Sequence, residues 1–180
     1  IELKSKGVST LAAQKIWFDD TVQRLNIDGR GELLGEFAGE DKILVVSQSG
    51  DYQLLGFDLS THFPEDMILL EKFTPKNPLS AIYWDGSKSK YFVKRFLVEP
   101  SDKKVSFISD AQGSYLEVVS SDIRPVAEIE FIKERNKDQR PNLQINFETF
   151  ISVKGLKAQG NTLTTYKVKS ISLIESLQPP

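Results

Sequence analysis

Cysteine is absent from the 180 residues, which removes disulfide staples and every Cys-based zinc or thiol site. Histidine occurs once, at His62, and a single imidazole without cysteine builds no metal cluster. No Gly-Lys-Ser/Thr sequence occurs, and Gly29-Arg30-Gly31 lacks the third glycine of a dinucleotide fingerprint, so nucleotide binding has no support and the segment reads as a hairpin turn. No apolar run approaches the ~20 residues of a membrane-spanning helix. No charged-then-apolar leader precedes the first strand-like residues at Ile1, and the chain reads as a soluble piece of a longer protein. What remains is ample: 20.3 kDa with 39% hydrophobic residues suffices for a self-supporting core, expected as one domain over residues 1–180.

Charge is nearly balanced, with 23 basic and 25 acidic side chains and a net of −2. The balance hides a segregation. From Asp19 to Glu71 there are 12 acidic and 3 basic residues, net −9, which leaves +7 on the remainder. Screening acts over ~8 Å, so a phosphate responds to a local patch more than to the total charge.

Periodicity mostly follows the strand repeat of two. Lys42 to Val46 turns at Ser49-Gly50-Asp51 into Tyr52 to Leu55, and Ala81 to Trp84 turns at Asp85-Gly86 into Tyr91 to Phe96. The same form is expected for Lys104 to Ser109 with Tyr115 to Val119, and for Leu143 to Val153 with Leu163 to Val168. Repeated hairpins of an apolar strand, a glycine turn and an aromatic-led return strand point to radially repeated small sheets. Ser170-Ile171-Ser172-Leu173 echoes Ile1-Glu2-Leu3, and the interval holds about four blades of ~40 to 45 residues. Pro64 to Glu71 fits a short helix or an apolar strand, and Lys133 to Pro141 a polar loop.

Catalytic chemistry finds little to work with. Asp58, Ser60 and His62 place the three residue types of a hydrolytic triad together, but nothing around them forms the strained elbow that exposes a nucleophilic serine. The pairs Asp19-Asp20 and Glu40-Asp41 read as solvated turn residues. The basic residues carry more. Lys154, Lys157, Lys167 and Lys169 stand against Glu175 alone in the last 31 residues. On an extended strand Thr165, Lys167 and Lys169 share one side while Tyr166 and Val168 face the core. Lys94 and Arg95, and Lys4, Lys6 and Lys15, extend this candidate phosphate-binding set.

Five segments carry a resemblance: Lys6 to Leu11, Lys15 to Asn26, Phe57 to Phe63, Tyr91 to Phe96 and Gly160 to Tyr166. In this order they resemble the C-terminal domain of the A subunit of bacterial type IIA topoisomerases, gyrase or topoisomerase IV. The resemblance implies an all-β fold, a β-pinwheel of about four four-stranded blades, whose basic rim binds and bends duplex DNA. It implies no catalytic or metal-binding residue in this chain and no cofactor of its own, the parent's Mg2+ and ATP being bound elsewhere. The implied partners are duplex DNA, the rest of a homodimeric A subunit and the ATPase B subunit, in the cytoplasm at the nucleoid and without a membrane. The family's gyrase box, Gln-Arg-Arg-Gly-Gly-x-Gly, has its nearest counterpart in Lys154-Gly155-Leu156-Lys157-Ala158-Gln159-Gly160, which keeps only the final glycine. That departure favours topoisomerase IV-like steering of DNA crossings over gyrase-like wrapping. The alternative is a β-propeller module that binds protein and leaves its lysines solvated.

Overall fold

The computed structural model describes residues 13–177. Among these residues fourteen strands and one helical turn follow in order: β1 (Gln14–Asp19), β2 (Arg24–Asn26), β3 (Glu32–Phe37), β4 (Ile43–Ser47), β5 (Asp51–Leu55), β6 (Met67–Lys72), β7 (Leu79–Asp85), β8 (Lys90–Phe96), β9 (Val105–Ser106), β10 (Tyr115–Ser120), β11 (Val126–Phe131), β12 (Leu143–Asn146), α1 (Phe147–Phe150), β13 (Asn161–Thr162) and β14 (Val168–Ile174). They form four small antiparallel sheets, in the orders β2-β1-β3, β6-β4-β5-β9, β10-β7-β8-β13 and β12-β11-β14. This all-β arrangement of three- and four-stranded sheets is consistent with the four blades expected for a β-pinwheel. The ambiguous segment at Pro64 to Glu71 is strand from Met67 onward, in β6, after a turn at Glu65-Asp66.

Two of the expected hairpins form. β4 and β5 are sheet neighbours, and β7 pairs with β8 from Leu79↔Phe96 to Asp85↔Lys90. Asp85 closes the latter turn, its Oδ1 accepting from Ser87 N at 2.9 Å, Ser87 Oγ at 2.7 Å and Lys88 N at 3.2 Å. The other two hairpins do not form. β9 joins the β4-β5 sheet whereas β10 pairs with β7; β12 pairs with β11, and the return strand expected from Leu163 to Val168 is strand only at Val168, where β14 begins, while β13 precedes that segment and pairs with β8. A repeat of two reports which face a side chain occupies and is silent about which strand lies alongside. Gly29-Arg30-Gly31 is likewise no hairpin turn: β2 and β3 lie on opposite edges of β1, so the segment crosses the end of that strand. Gly31 has φ +88° and sits where a Cβ would lie 2.0 Å from the Phe18 carbonyl oxygen, a position that admits only glycine.

Asn26 organises this crossing. Its Oδ1 accepts from Asp28 N and Arg30 N at 3.0 and 3.1 Å, and its Nδ2 donates to Arg30 O at 2.9 Å. The residue is buried, so Asn26→Ala leaves three backbone groups without a partner. A loss of about 2 kcal/mol in urea unfolding is expected; a loss below about 0.5 kcal/mol would show that water replaces the side chain.

Contacts divide the chain into two compact units. Of the described residues, the first holds 13–47, 52–73 and 101–105, and the second holds 48–51, 74–100 and 106–177. In the first, Ile16, Phe18, Leu25, Phe37, Ile43 and Val45 form the core, with Phe63 edge-on to Phe18 at 5.2 Å. In the second, the inward faces of β7-β8 and β11-β14 meet through Ile82, Val93, Ala127, Ile129, Ile145 and Ile171, with Phe147 fully buried.

Candidate nucleic-acid interface

In the second unit residues 154–160 form a strap along β8. Lys154 N donates to Arg95 O at 2.8 Å, and Ala158 N donates to Gly155 O at 3.0 Å to make a turn. Tyr83 OH donates to Gln159 O at 2.7 Å. Lys94 Nζ donates to Leu156 O at 2.7 Å and Phe107 O at 2.5 Å, lying 5.2 Å from the Phe96 ring centre. Leu156 is buried, while Lys154 and Lys157 stand exposed on the strap. The chain then enters β13, whose Asn161 and Thr162 pair with Val93 and Phe92.

Lys94 and Arg95 therefore differ from the surface cations expected. They are 3% and 7% exposed. Arg95 Nε donates to Ser80 Oγ at 3.1 Å and its Nη2 to Ile123 O at 2.7 Å. Both belong to a central strand covered on both faces, and their donors serve carbonyls and a hydroxyl of the fold instead of an external phosphate. Burial lowers both pKa values, and for Arg95 the Glu148 carboxylate opposes the shift.

Lys167 and Lys169 are exposed, but the expected row through Thr165 is interrupted. β14 begins only at Val168, so residues 164–167 are not a strand and Tyr166 does not face the core. It is 48% exposed, with the Arg140 guanidinium 3.3 Å from its ring centre, a stacked cation–π contact. Lys167 O accepts from Ile132 N at 3.0 Å, which joins this turn to the polar loop after β11. Lys15 is exposed on β1 opposite Glu36, in the first unit. Lys4 and Lys6, and the echo at Ile1-Glu2-Leu3, lie outside the described residues.

Sequence reasoning missed Lys90, Lys133 and Arg140. Lys90 and Lys167 line one cleft, and Lys133 and Lys169 line another that shares Ile132 with the first. Their signal was available in part: Lys133 to Arg140 holds four basic and two acidic residues, but it reads as an ordinary polar loop until β14 is set beside it. None of Lys154, Lys157, Lys167 and Lys169 has an ion pair among the described residues.

The hydrolytic trio does not assemble. Ser60 Oγ donates directly to Asp58 Oδ1 at 2.8 Å and Ser60 N donates to the same oxygen at 2.9 Å, so the carboxylate closes a turn with no imidazole between. Those two bonds hold the Asp58 carboxyl below its ordinary pKa. Asp19 and Asp41 accept backbone N–H groups of Thr21 and Ala38. No cluster of three His, Cys, Asp or Glu suited to a metal exists among the described residues.

Residues 24–175 match the family model described as topoisomerase C-terminal domain, Bacteroidota. The chain belongs to that family. No curated protein matches it. In this topoisomerase C-terminal domain the fold redistributes the charge seen along the sequence. The described residues of the first unit hold 12 acidic and 7 basic side chains, net −5, and those of the second hold 12 acidic and 14 basic, net +2. The contrast keeps its sign and shrinks, because Lys15, Lys72, Lys103 and Lys104 fall in the acidic unit.

Lys94 gives this domain a pH signature. Burial pushes its pKa from 10.5 down to about 8. The folded state releases the proton near pH 8 and the unfolded state near 10.5, so between these values the unfolded state binds more protons and stability rises with pH. Below pH 8 both states are protonated and the group adds no slope. The stability of the domain relative to Lys94→Met should therefore increase from pH 8 to pH 10 in paired urea titrations. A constant or falling difference would mean that the two carbonyls outweigh burial and keep the ammonium charged.

Proposed function

We propose that the chain is a non-catalytic, duplex-DNA-binding domain of a type IIA topoisomerase A subunit, topoisomerase IV-like, which guides DNA crossings through phosphate contacts. One observation carries the reading: in the net-positive unit, Lys154, Lys157, Lys167 and Lys169 are exposed and have no ion pair among the described residues, on backbone fixed against β8 and β11. Cations held this way neutralise phosphates and release counterions without reading bases. They also help to hold a bend whose elastic cost is a few kcal/mol. The missing residues of the gyrase box support steering over tight wrapping. The proposed partners are the other A-subunit domains of a homodimer and an ATPase B subunit, with Mg2+ and ATP bound there, in the bacterial cytoplasm.

Fluorescence anisotropy with a labelled duplex tests the reading. Binding should be indifferent to sequence, and log K should fall linearly with log salt, with a slope near −0.9 for each phosphate neutralised. Absence of binding at about 50 mM salt, well inside the range where such contacts are strong, would reject it.

A second reading, docking to protein, draws on the first unit. Ile27 and Leu59 are large, exposed and line one cleft there, in a net-negative setting suited to a basic partner surface. Crosslinking that placed this unit under bound DNA would remove it.

A further inference from the structure

Three aromatic side chains cross the β10-β7-β8 sheet in register, Tyr115 opposite Trp84 and Trp84 opposite Tyr91. Trp84 and Tyr91 meet edge-on at 4.8 Å, and the hydroxyls of Tyr91 and Tyr115 are hydrogen-bonded at 3.0 Å. All three are only half-buried. The reason is positional: on the same faces Ile82 and Val93 are sealed in the core of the second unit, and the trio lies where that core opens. Tyr166 stands across the opening, with Arg140 stacked on its ring. The resulting cleft is about 360 Å3, within the range of small-ligand sites.

Its chemistry is specific. The walls are aromatic, the rim carries Lys90 and Lys167, and no carboxylate is among the lining residues. Asp85, which pairs with Lys90 across the turn, is buried and committed to Ser87 and Lys88. Glu117 lies outside the lining and reaches Tyr91 OH at 3.5 Å. An apolar, π-faced slot flanked by cations suits a flat ring that carries negative charge on both sides. Duplex DNA buries its rings in the stack and offers only phosphates, whereas a single strand offers both.

We propose that this cleft takes an unstacked base of single-stranded DNA, with its flanking phosphates on Lys90 and Lys167. The proposal rests on the DNA-binding reading above and extends it: the surface that meets duplex also holds a site for a locally melted or single-stranded segment. Aromatic walls accept any base, so selectivity is for strandedness and not for sequence.

The chain has two tryptophans, Trp17 and Trp84, so the 180-residue Trp17→Phe variant reports on Trp84 alone. Titration with a short oligothymidylate should quench that fluorescence to saturation, and a duplex of equal length should not. In the same background Tyr166→Ala should weaken oligothymidylate roughly tenfold, as loss of one stacking wall does, while leaving duplex affinity unchanged. Tyr166→Leu, which keeps apolar bulk at this exposed position but offers no π-face, provides a second variant with the same expectation should the first unfold. Oligothymidylate that binds without quenching, or with an affinity indifferent to Tyr166→Ala, overturns the proposal, because the strand is then held by phosphates alone. Duplex binding with no oligothymidylate binding also overturns it and leaves the duplex reading intact. Quenching without duplex binding upholds the cleft and rejects the duplex reading. If neither nucleic acid binds, both fall.

Discussion

Gly160→Val should cost about 3–5 kcal/mol of stability and release the strap from β8. Gly160 has φ +92°, and a Cβ there would lie 2.3 Å from Val93 O and 3.0 Å from Val93 C and Lys94 Cβ. The backbone conformation alone costs a β-branched residue of order 1–3 kcal/mol. The contact with Val93 adds overpacking of about 1–3 kcal/mol, because the obstructing atoms are main chain. Relief requires β13 to leave β8, which gives up the Asn161↔Val93 and Thr162↔Phe92 pairs and the bond from Leu163 N to Tyr91 O. The carbonyls that Tyr83 and Lys94 hold then move away, and Lys94 is left as a buried ammonium with half its acceptors. Gly155 supplies the control. It belongs to the same strap, yet nothing lies within 4 Å of its Cβ position and its φ is not in the left-handed range, so Gly155→Ala should stay within about 0.5 kcal/mol. Urea unfolding gives both values, and amide exchange over residues 154–163 shows whether the loss is local. Equal effects at the two glycines would refute the account.

The contrast between these glycines shows where sequence reading stops. Both bracket the box-like segment, and nothing in the spacing distinguishes the one pressed against a carbonyl from the one in open space. Ala81 to Phe96 was legible, because the two strands are adjacent in the chain and Asp85-Gly86 marks their turn. β9, β10 and β12 were legible as strands but not as neighbours: β9 and β10 pair with segments remote in sequence, and β12 turns back to β11 across a long polar loop, whereas hairpin logic reaches only as far as the next turn. β13 was not legible, because its two residues precede the return strand expected from Leu163. Lys94 and Arg95 misled for a related reason. Basic residues are normally solvated, yet they sit inside the run Tyr91 to Phe96, which is apolar except for them. Such a run marks a strand covered on both faces, and buried cations there must find acceptors inside the fold. Lys154, Lys157, Lys167 and Lys169 needed no such context, because exposed lysines on polar segments are the common case. Lys90 and Arg140 became visible as part of the surface only once β14 lay beside β11.

Replacing Lys154, Lys157, Lys167 and Lys169 together with glutamine should flatten the dependence of log K on log salt by up to about 3.6, the contribution of four phosphate contacts at ~0.9 each. Over a fourfold rise in salt, the wild type should then lose roughly a hundredfold more affinity than the variant. The effect is separable from folding. All four side chains are exposed and without ion pairs among the described residues, so their loss should leave the urea midpoint nearly unchanged. Two double variants divide the interface. Lys154 and Lys157 ride on the strap, whereas Lys167 and Lys169 lie beside Lys90 and Lys133 around Ile132. If one duplex track crosses both places, each double variant removes about half the change in slope. If the track follows only the β14 side, Lys167→Gln with Lys169→Gln carries nearly all of it, and adding Arg140→Gln deepens it further. An unchanged slope in the quadruple variant, with duplex binding retained, would move the interface off these lysines altogether. The remaining cations of the second unit, Lys133, Arg135 and Lys137 foremost, would then be the residues to neutralise next.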